Sequence, residues 1–546
     1  MTSAHGPAQR NPEHDNRPWW QTAVIYQIYP RSFADSNADG IGDLPGITKH
    51  LDYIRDLGVD AIWLSPVFRS PMVDFGYDIS DHTDVDPTFG TLADADDLID
   101  AAHLRGIRVI FDIVLGHTSD QHAWFQAAAS SREDPRRDFY VWRDGPTPGS
   151  PAGGPPTNWT AGFPAGAPTW TWHRPTSQWY LHSHLPQQPD LNWDNPAVVD
   201  AQLDVLRFWL DRGVDGVRLD SINRLGKDPL LRDNVPGRPP RQQDWPSVHD
   251  HLRAVREVID TYPGRMAVGE VWLFEQRLLM PYLAADELHL AHNFAFVRLP
   301  FTAKGFAAVI TEFTELAGDD VWPAWFLNNH DEPRTASRFD LAGADGRPDG
   351  RGLERARLLA MLLITLRGTP FLYQGEELGM PDTPVPPGIA TDRNGRDPQR
   401  TPIPWLEPDR AGPGAGFTTV TPWLPIGPTA RTLNVSSEQR DPTSTLHLYR
   451  DLIRLRKARA SLAHGRQEIL AVDDGDLLVY LRTAVDGDTL VVLNFSTEDA
   501  TLDLGRIARS RDAAWTVAVG THSSSGDLGP VSPMLTLRGL EGVVLI

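Results

Sequence analysis

Eight short runs of β-branched and aromatic residues recur along this chain, and segments with a helical spacing of apolar residues separate them. In these segments apolar residues share one helical face, as Val199, Leu203, Leu206 and Leu210 do. Continuous apolar runs are typical of parallel strands buried on both faces. Eight strands alternating with helices favour a (β/α)8 TIM barrel of the α/β class, although the periodicity alone also permits an open doubly wound sheet. The runs lie at residues 23–29, 60–64, 108–115, 215–219, 266–271, 292–296, 324–327 and 370–374.

Two stretches interrupt this alternation. Residues 118–190 are rich in proline, glycine, tryptophan and histidine without a helical period, which indicates a loop-rich domain inserted after strand three. Residues 463–546 contain short alternating runs instead of helices, which predict a C-terminal antiparallel β-sandwich domain. We therefore expect the barrel to be built from residues 1–117 and 191–462.

The composition narrows the possible functions. The 546 residues include no cysteine, so disulfides, thiolate metal sites and cysteine nucleophiles are excluded. A formal net charge of −21 argues against a nucleic acid or an anionic membrane as a partner. Neither the N-terminal residues 1–20 nor any other segment has an apolar stretch long enough for a secretory signal or a membrane span, so we expect a cytoplasmic protein.

Polar side chains follow the ends of several predicted strands. In a barrel the loops after the strands converge at one face, and enzymes with this fold place their active sites there. Several carboxylates and two histidines at one face are more than the fold itself requires. These side chains are Asp112, His117, Arg218, Asp220, Glu270, Asn328, Asn329, His330 and Asp331.

The motifs around these residues resemble those of the α-amylase superfamily, glycoside hydrolase family 13, and specifically its oligosaccharide α-glucosidase branch. The resemblance covers about residues 19–462, and the terminal β domain fits it as well. Six motifs in the family's order make a specific match, whereas one alone would be weak. They are DIVLGH at 112–117, QPDLN at 188–192, GVRLD at 216–220, GEV at 269–271, NNHD at 328–331 and GTPFLYQGEE at 368–377.

The resemblance implies a retaining mechanism with a covalent glycosyl-enzyme. Asp220 matches the nucleophile, Glu270 matches the general acid/base, and Asp331 matches the third carboxylate, which holds the sugar's 2- and 3-hydroxyls. Retention requires two carboxyl groups on opposite sides of the scissile bond, about 5–5.5 Å apart. Arg218 lies two residues before the nucleophile on the same strand, so its side chain points to the same side and can keep Asp220 ionised.

Further matches imply a closed pocket for one terminal glucose. His117 and His330 match histidines that bind hydroxyls in subsite −1. Asp74 and Tyr77 resemble the pair that grips the non-reducing end and stacks on its ring, and Arg400 matches the arginine that pairs with that Asp. Such a pocket implies an exo-acting enzyme. Its expected substrate is a short neutral oligosaccharide, and no catalytic cofactor is expected.

Three residues bear on the leaving-group side. Ser221 follows the nucleophile, and in this branch a valine there accompanies α-1,6 preference, so a small residue suggests α-1,4 bonds. Phe163 and Phe296 are candidates for the pocket mouth.

The family pattern is broken at Gly116, which replaces a common Asn, and at Glu332, which replaces a common Gln and adds a charge near subsite +1.

An oxygen-rich loop follows the first strand. Its side chains alternate at positions 1, 3, 5 and 9 with glycine at position 6, as in an EF-hand loop. Hard oxygen donors suit Ca²⁺ or Mg²⁺, so the loop predicts a structural ion remote from the chemistry. The expected ligands are Asp35, Asn37, Asp39, the carbonyl of Ile41, and Asp43.

The same scaffold leaves other activities open. A glucosyltransferase or a sucrose or trehalose isomerase uses the same glycosyl-enzyme with another acceptor, and transglycosylation can accompany hydrolysis. A non-catalytic relative is the alternative from another class, but Asp220, Glu270 and Asp331 are all present. The sequence is compatible with either a monomer or a homodimer.

Overall fold

The protein is described from a computed structural model, which covers residues 17–343, 346–473, 476–507, 515–522 and 529–546. Its central feature is one sheet of eight parallel strands in the order β6-β5-β4-β3-β2-β1-β8-β7. The two outer strands meet at an isolated parallel bridge between His292 and Ala324, which nearly closes the sheet into a barrel. The predicted (β/α)8 fold is therefore confirmed. The strands are β1 (Ile25–Ile28), β2 (Ala61–Leu64), β3 (Arg108–Ile113), β4 (Gly216–Leu219), β5 (Met266–Gly269), β6 (Leu290–Ala291), β7 (Ala324–Phe326) and β8 (Thr369–Tyr373).

Helices follow the strands and cover the outside of the barrel. The helix Ser247–Asp260 shows why: Val248, Leu252, Val255 and Ile259 share one face and are buried against the sheet. The helices after the eight strands in turn are Leu51–Leu57, Leu92–His103, Pro196–Asp211, Ser247–Asp260, Gln276–Leu279, Ala303–Ala317, Gly352–Thr365 and Thr445–Ala458. Shorter helices lie at Trp19–Thr22, Leu44–Lys49, Ala123–Ser130, Phe294–Val297, Thr335–Arg338, Pro408–Ala411, Val435–Glu438 and Ala460–His464.

The sixth strand lies earlier in the chain than predicted. The run at 292–296 was expected to form it, but β6 is only Leu290–Ala291 and the run itself enters the helix Phe294–Val297. Asn293 explains the change, because its side chain accepts the N–H of Ala295 over 3.1 Å and caps that helix.

Four smaller antiparallel sheets accompany the barrel in the described parts of the chain, and one of them pairs Phe68–Arg69 with Asp81–Val85 between β2 and the helix Leu92–His103. Between β3 and the helix Pro196–Asp211, the strands Trp142–Arg143, Gln178–Leu181 and Trp170–His173 form an antiparallel sheet. At the C-terminal end of the chain the described strands form a five-stranded antiparallel sheet and an antiparallel pair, Ala500–Asp503 with Met534–Leu537. The five strands, in sheet order, are Arg466–Asp473, Leu477–Ala484, Gly487–Asn494, Gly542–Leu545 and Val517–Gly520.

Among the described residues, none of the helices has the length and apolar character that a membrane span requires.

Candidate active site

A cavity of about 420 Å³ opens at the C-terminal ends of the barrel strands. Strand register brings its carboxylates together: Gly269 pairs with Leu219, so Glu270 and Asp220 leave adjacent strands side by side. The backbone N–H of Glu270 donates to the Leu219 carbonyl over 2.9 Å. The predicted site residues that line the cavity are Asp74, Tyr77, His117, Phe163, Asp220, Ser221, Glu270 and Asp331.

Arg218 connects two of the three carboxylates that the sequence assigned to catalysis, Asp220 and Glu270. Its Nη1 donates to Asp220 Oδ1 over 2.7 Å and to Asp112 Oδ1 over 2.8 Å. Its Nη2 lies 2.7 Å from Glu270 Oε2. Because one rigid guanidinium contacts both, Asp220 and Glu270 are held close to each other with fixed orientations.

The same surroundings set the protonation of this pair. Burial raises the pKa of Glu270 to about 7, with the charges of Asp220 and Asp331 adding to the rise and Arg218 opposing it. Burial also raises the pKa of Asp220 to about 6, with Arg218 opposing and Asp112 adding to the rise. Near pH 6.5 (roughly midway) one group can therefore be ionised while the other keeps its proton.

Asp331 is held as an anion on the opposite wall. Its Oδ1 accepts from Arg396 Nη1 over 2.7 Å and from Arg400 Nη2 over 2.9 Å, while His330 Nε2 lies 3.2 Å from Oδ2. Burial alone would raise the pKa of Asp331, but His330, Arg396 and Arg400 outweigh it and hold the pKa well below the usual range.

The partner of Asp74 differs from the prediction. Arg396 Nη2 donates to Asp74 Oδ1 over 2.6 Å, so Arg396 makes the ion pair that the sequence assigned to Arg400. Arg400 instead donates to Asp331 and to the His330 carbonyl, and its side chain is 1% exposed beneath the cavity. The two arginines flank a single helical turn, Asp397–Arg400, and that turn fixes which of them reaches Asp74.

His330 is buried and neutral. Burial lowers the pKa of His330 to about 3. Gln27 Nε2 donates to its Nδ1 over 2.8 Å, which leaves the proton on Nε2, 2.7 Å from the Tyr77 hydroxyl. That hydroxyl in turn donates to Asp112 Oδ2 over 3.0 Å, and the Tyr77 ring stacks on the imidazole at an interplanar angle of 3°. The chain of bonds fixes the Tyr77 ring at the base of the cavity.

His117 lies on the cavity wall above Tyr77. Its Nε2 is 2.9 Å from the Tyr77 carbonyl and 3.3 Å from Gln188 Nε2. Gln188 also donates to Asp74 Oδ2 over 3.0 Å. Gln188 therefore joins the two predicted ligands His117 and Asp74, a role the sequence did not suggest for it.

The part of the cavity formed by the loop after Glu270 is aromatic, and an ion pair between Arg298 and Glu332 lies beside it. Trp272 and Phe274 follow Glu270 on the same loop and line the cavity. The Arg298 guanidinium lies 5.5 Å and 5.1 Å from the centres of their rings and donates to Glu332 Oε1 over 2.7 Å. Glu332 therefore lines the cavity with its charge paired to Arg298.

The two candidate phenylalanines have different positions. Phe163 lines the cavity, with the Arg396 guanidinium 4.3 Å from the centre of its ring. The assignment of Phe296 to the pocket mouth is wrong, because its side chain is fully buried and packs on Phe306 and Trp325 in the barrel core. Phe296 lies on the helix Phe294–Val297, which turns its ring away from the site. Phe274, 41% exposed, occupies the mouth instead.

The oxygen-rich loop after β1 is closed by its own hydrogen bonds. Asp35, Asn37 and Asp39 accept backbone N–H groups of the loop over 2.8–3.0 Å. Asp43 accepts the N–H of Gly46 and caps the helix Leu44–Lys49. Within the described ranges, no group of three or more His, Cys, Asp or Glu side chains is arranged to hold a metal ion.

Comparisons with known proteins agree with this architecture. Residues 27–465 match the family described as "Alpha amylase, catalytic domain". The chain is 43% identical to a probable α-glucosidase of Rhizobium meliloti (strain 1021), covering 90% of this chain and 91% of that protein. It is 38% identical to an oligo-1,6-glucosidase of Parageobacillus thermoglucosidasius, covering 88% and 91%.

A solved structure of an α-glucosyl transfer enzyme superposes with a TM-score of 0.85 at 38% identity, over 97% of this chain and 99% of that one. The family match spans most of the barrel. The alignments with the two relatives cover nearly the whole length of each relative. With the barrel, the motifs and the carboxylates at its rim, these matches assign the chain to the α-amylase family of glycoside hydrolases, family 13.

Proposed function

We propose that the protein is a retaining, exo-acting α-glucosidase that releases glucose from the non-reducing end of short α-glucosides. The observation that carries this proposal is the shared guanidinium of Arg218, which holds Asp220 and Glu270 side by side at the cavity floor. Close carboxyl groups are the arrangement that retaining glycosidases require.

In the first step Asp220 attacks the anomeric carbon. The bond from that carbon to the glycosidic oxygen breaks, and Glu270 transfers its proton to that oxygen as the leaving group departs. Arg218 favours the ionised form of Asp220, and Asp331 binds the sugar's hydroxyls as positive charge develops on the ring.

In the second step Glu270, now ionised, removes a proton from water. The resulting oxygen attacks the anomeric carbon, the bond to Asp220 breaks, and glucose leaves with its original α configuration. The raised pKa of Glu270, about 7, suits a group that must give a proton and take one back in each cycle.

The exo mode rests on the part of the cavity wall that contains the Asp74–Arg396 ion pair. There Asp74, Arg396 and Phe163 line the wall, with Asp74 and Arg396 joined by the 2.6 Å ion pair. We propose that this wall receives the terminal glucose and leaves no room for a further sugar unit beyond it.

Replacement of the nucleophile tests the mechanism. Asp220→Asn keeps the shape of the side chain but removes its charge, so hydrolysis of 4-nitrophenyl α-glucoside should fall by at least about 10⁴-fold. Asp349→Asn is a matched control, because Asp349 holds Arg355 by a similar ion pair in another loop. Residual activity of Asp220→Asn above a few per cent, with the control unaffected, would contradict the mechanism.

The proposal also concerns which glycosidic bond is cleaved and which molecule accepts the glucosyl group. Ser221 lines the cavity beside Glu270, and its small side chain favours α-1,4 bonds. Faster hydrolysis of isomaltose than of maltose would reverse this assignment.

Transfer to a sugar acceptor is the second candidate, supported by the similarity to an α-glucosyl transfer enzyme. Chromatography of the products at high maltose concentration would separate transfer from hydrolysis.

We also propose a structural Ca²⁺ or Mg²⁺ in the loop after β1. The chemistry of the donors suits such an ion, because they are carboxylate, amide and carbonyl oxygens only, and its binding would require Asp35, Asp39 and Asp43 to turn from the backbone N–H groups that they accept toward the ion. Gly40 has φ 89°, which a residue with a side chain adopts only at a cost, so the tight turn of the loop depends on this glycine. The ion would be held by Asp35, Asn37, Asp39, Ile41 and Asp43, and it has no part in the chemistry.

A further inference from the structure

Asp392 has an unusual position behind the wall that receives the terminal glucose. It lies in the loop after β8, its side chain is only 3% exposed, and it is next to the arginine that pairs with Asp74. Its Oδ1 accepts from Arg396 Nη2 over 2.7 Å and from Arg396 Nε over 3.1 Å. The guanidinium is therefore gripped along one edge by a carboxylate that does not itself belong to the cavity lining.

Further contacts of Asp392 fix the loop on which it lies, and Arg400 Nη1 is 3.8 Å from its Oδ1. Its Oδ2 accepts the backbone N–H of Asn394 over 2.9 Å and that of Arg396 over 2.8 Å. Asp392 thus binds both the backbone and the side chain of Arg396. Two attachment points leave the guanidinium few alternative rotamers.

Arg396 needs this fixation because it serves two other carboxylates at once. Nη1 donates to Asp331 and Nη2 to Asp74, over 2.7 Å and 2.6 Å. Asp331 has a second arginine partner in Arg400, but the ion pair of Asp74 depends on Arg396. If Arg396 were free to rotate, Asp74 and the side of the glucose that it faces would lose their fixed geometry.

We propose that Asp392 is a positioning residue for subsite −1: it locks Arg396 so that one guanidinium bridges Asp74 and Asp331 and closes the pocket on the non-reducing end. This inference rests on the proposed function. It predicts that Asp392 controls how tightly the terminal glucose is bound, and that it acts through the hydroxyls that Asp74 faces.

The test uses Asp392→Asn, whose amide oxygen can still accept the two backbone N–H groups of the loop. We expect the KM for 4-nitrophenyl α-glucoside to rise about tenfold, with a much smaller fall in kcat, because a charge-assisted contact is lost. The Kd of 1-deoxynojirimycin, a monosaccharide analogue, should weaken by about the same factor in calorimetry. Asp392→Glu restores the charge and should recover part of the affinity, whereas Asp349→Asn should leave both constants unchanged.

A substrate change separates positioning from a general loss of structure. In the wild type, the 4-deoxy derivative of the same glucoside should be a poorer substrate. In Asp392→Asn the removal of that hydroxyl should cost less than twofold, because the interaction is already weakened. An unchanged Kd in folded Asp392→Asn, or a full additional loss with the deoxy substrate, would overturn the inference. If Asp392→Asn does not fold, the same two measurements on Asp392→Ser, which also removes the charge, decide: affinity and deoxy-substrate loss equal to those of the wild type would overturn it.

Failure of this inference is distinguishable from failure of the proposed function. A wild-type protein that does not hydrolyse α-glucosides would refute the function, whereas an active wild type with an indifferent Asp392 would refute only the positioning role.

Discussion

Ser221 donates its backbone N–H to Oε2 of Glu270 over 3.0 Å, and it does so from the left-handed region, with φ 44°. The residue directly after the nucleophile is therefore held in a rarely adopted conformation that orients the acid/base. Position 221 is constrained in two ways, because its side chain lines the cavity and its backbone must keep this turn.

Replacements at position 221 should separate these two constraints. Ser221→Val places a β-branched residue at positive φ and should lower the free energy of unfolding by about 1–2 kcal/mol. Ser221→Gly accepts the conformation without strain and should be as stable as the wild type or more so. Urea unfolding measures both, and equal stability of the valine and glycine variants would contradict the strain at this residue.

The dependence of kcat/KM on pH should be bell-shaped. Asp220 must be ionised, so kcat/KM should rise as pH increases through about 6, and Glu270 must be protonated, so it should fall as pH increases through about 7. These limits belong to the interacting pair, and they should lie close together. Initial rates of maltose hydrolysis between about pH 4 and about pH 9 measure this dependence.

Glu270→Gln provides the control for the alkaline limb. The variant cannot titrate, so its much lower kcat/KM should no longer fall above about pH 7. An unaltered alkaline limb in this variant would assign that titration to a different group.

Phe163 and Phe296 should respond in opposite ways to truncation. Phe296→Ala removes a buried ring from the barrel core and should cost about 3–5 kcal/mol of unfolding free energy, with KM nearly unchanged in the folded fraction. Phe163→Ala removes a ring from the cavity wall and should raise KM severalfold with little effect on stability. Thermal unfolding and Michaelis kinetics on both variants check the assignment, and the reverse pattern would refute it.

The loop after β1 should respond to divalent cations. We expect EDTA to lower Tm by roughly 2–4 °C and added Ca²⁺ to restore it, because an ion bound only by the folded state stabilises it. In Asp39→Asn the amide can still accept the N–H of Ile41, so the loop should persist while the response to Ca²⁺ weakens. If EDTA and Ca²⁺ leave Tm unchanged, the internal hydrogen bonds alone maintain this loop.

The barrel could be predicted from the sequence because its strands are buried on both faces and read as continuous apolar runs. β1, β2, β4 and β5 all lie within their predicted runs for that reason. The sixth run shows the limit of the argument. A short apolar segment has no period long enough to distinguish a strand from a helical turn, and the cap at Asn293 decided in favour of the helix.

Some residues of the candidate site could likewise be predicted from the sequence, and others could not. Side chains directly after a strand, such as Asp220 and Glu270, are positioned by the register of that strand in the sheet. The apolar run in the sequence predicts where the strand ends, so it also predicts where these side chains lie. Arg396, Gln188 and Arg298 come from loops or short helices, where the direction of a side chain depends on turns that spacing alone does not define. The choice between Arg396 and Arg400 as partner of Asp74 is the clearest example, because the two arginines are only one helical turn apart.

The near-closure of the barrel at one bridge has a mechanical consequence. β1 to β4 are joined by continuous ladders, and the strands that carry Asp112, Arg218 and Asp220 belong to that well-braced half. β6 has two residues and meets β7 at the bridge from His292 to Ala324, on the side of the barrel from which Arg298 and Glu332 project. The sheet is therefore hydrogen-bonded over longer ladders at β3 and β4 than at β6, and we expect any local opening of the barrel to begin at the bridge from His292 to Ala324.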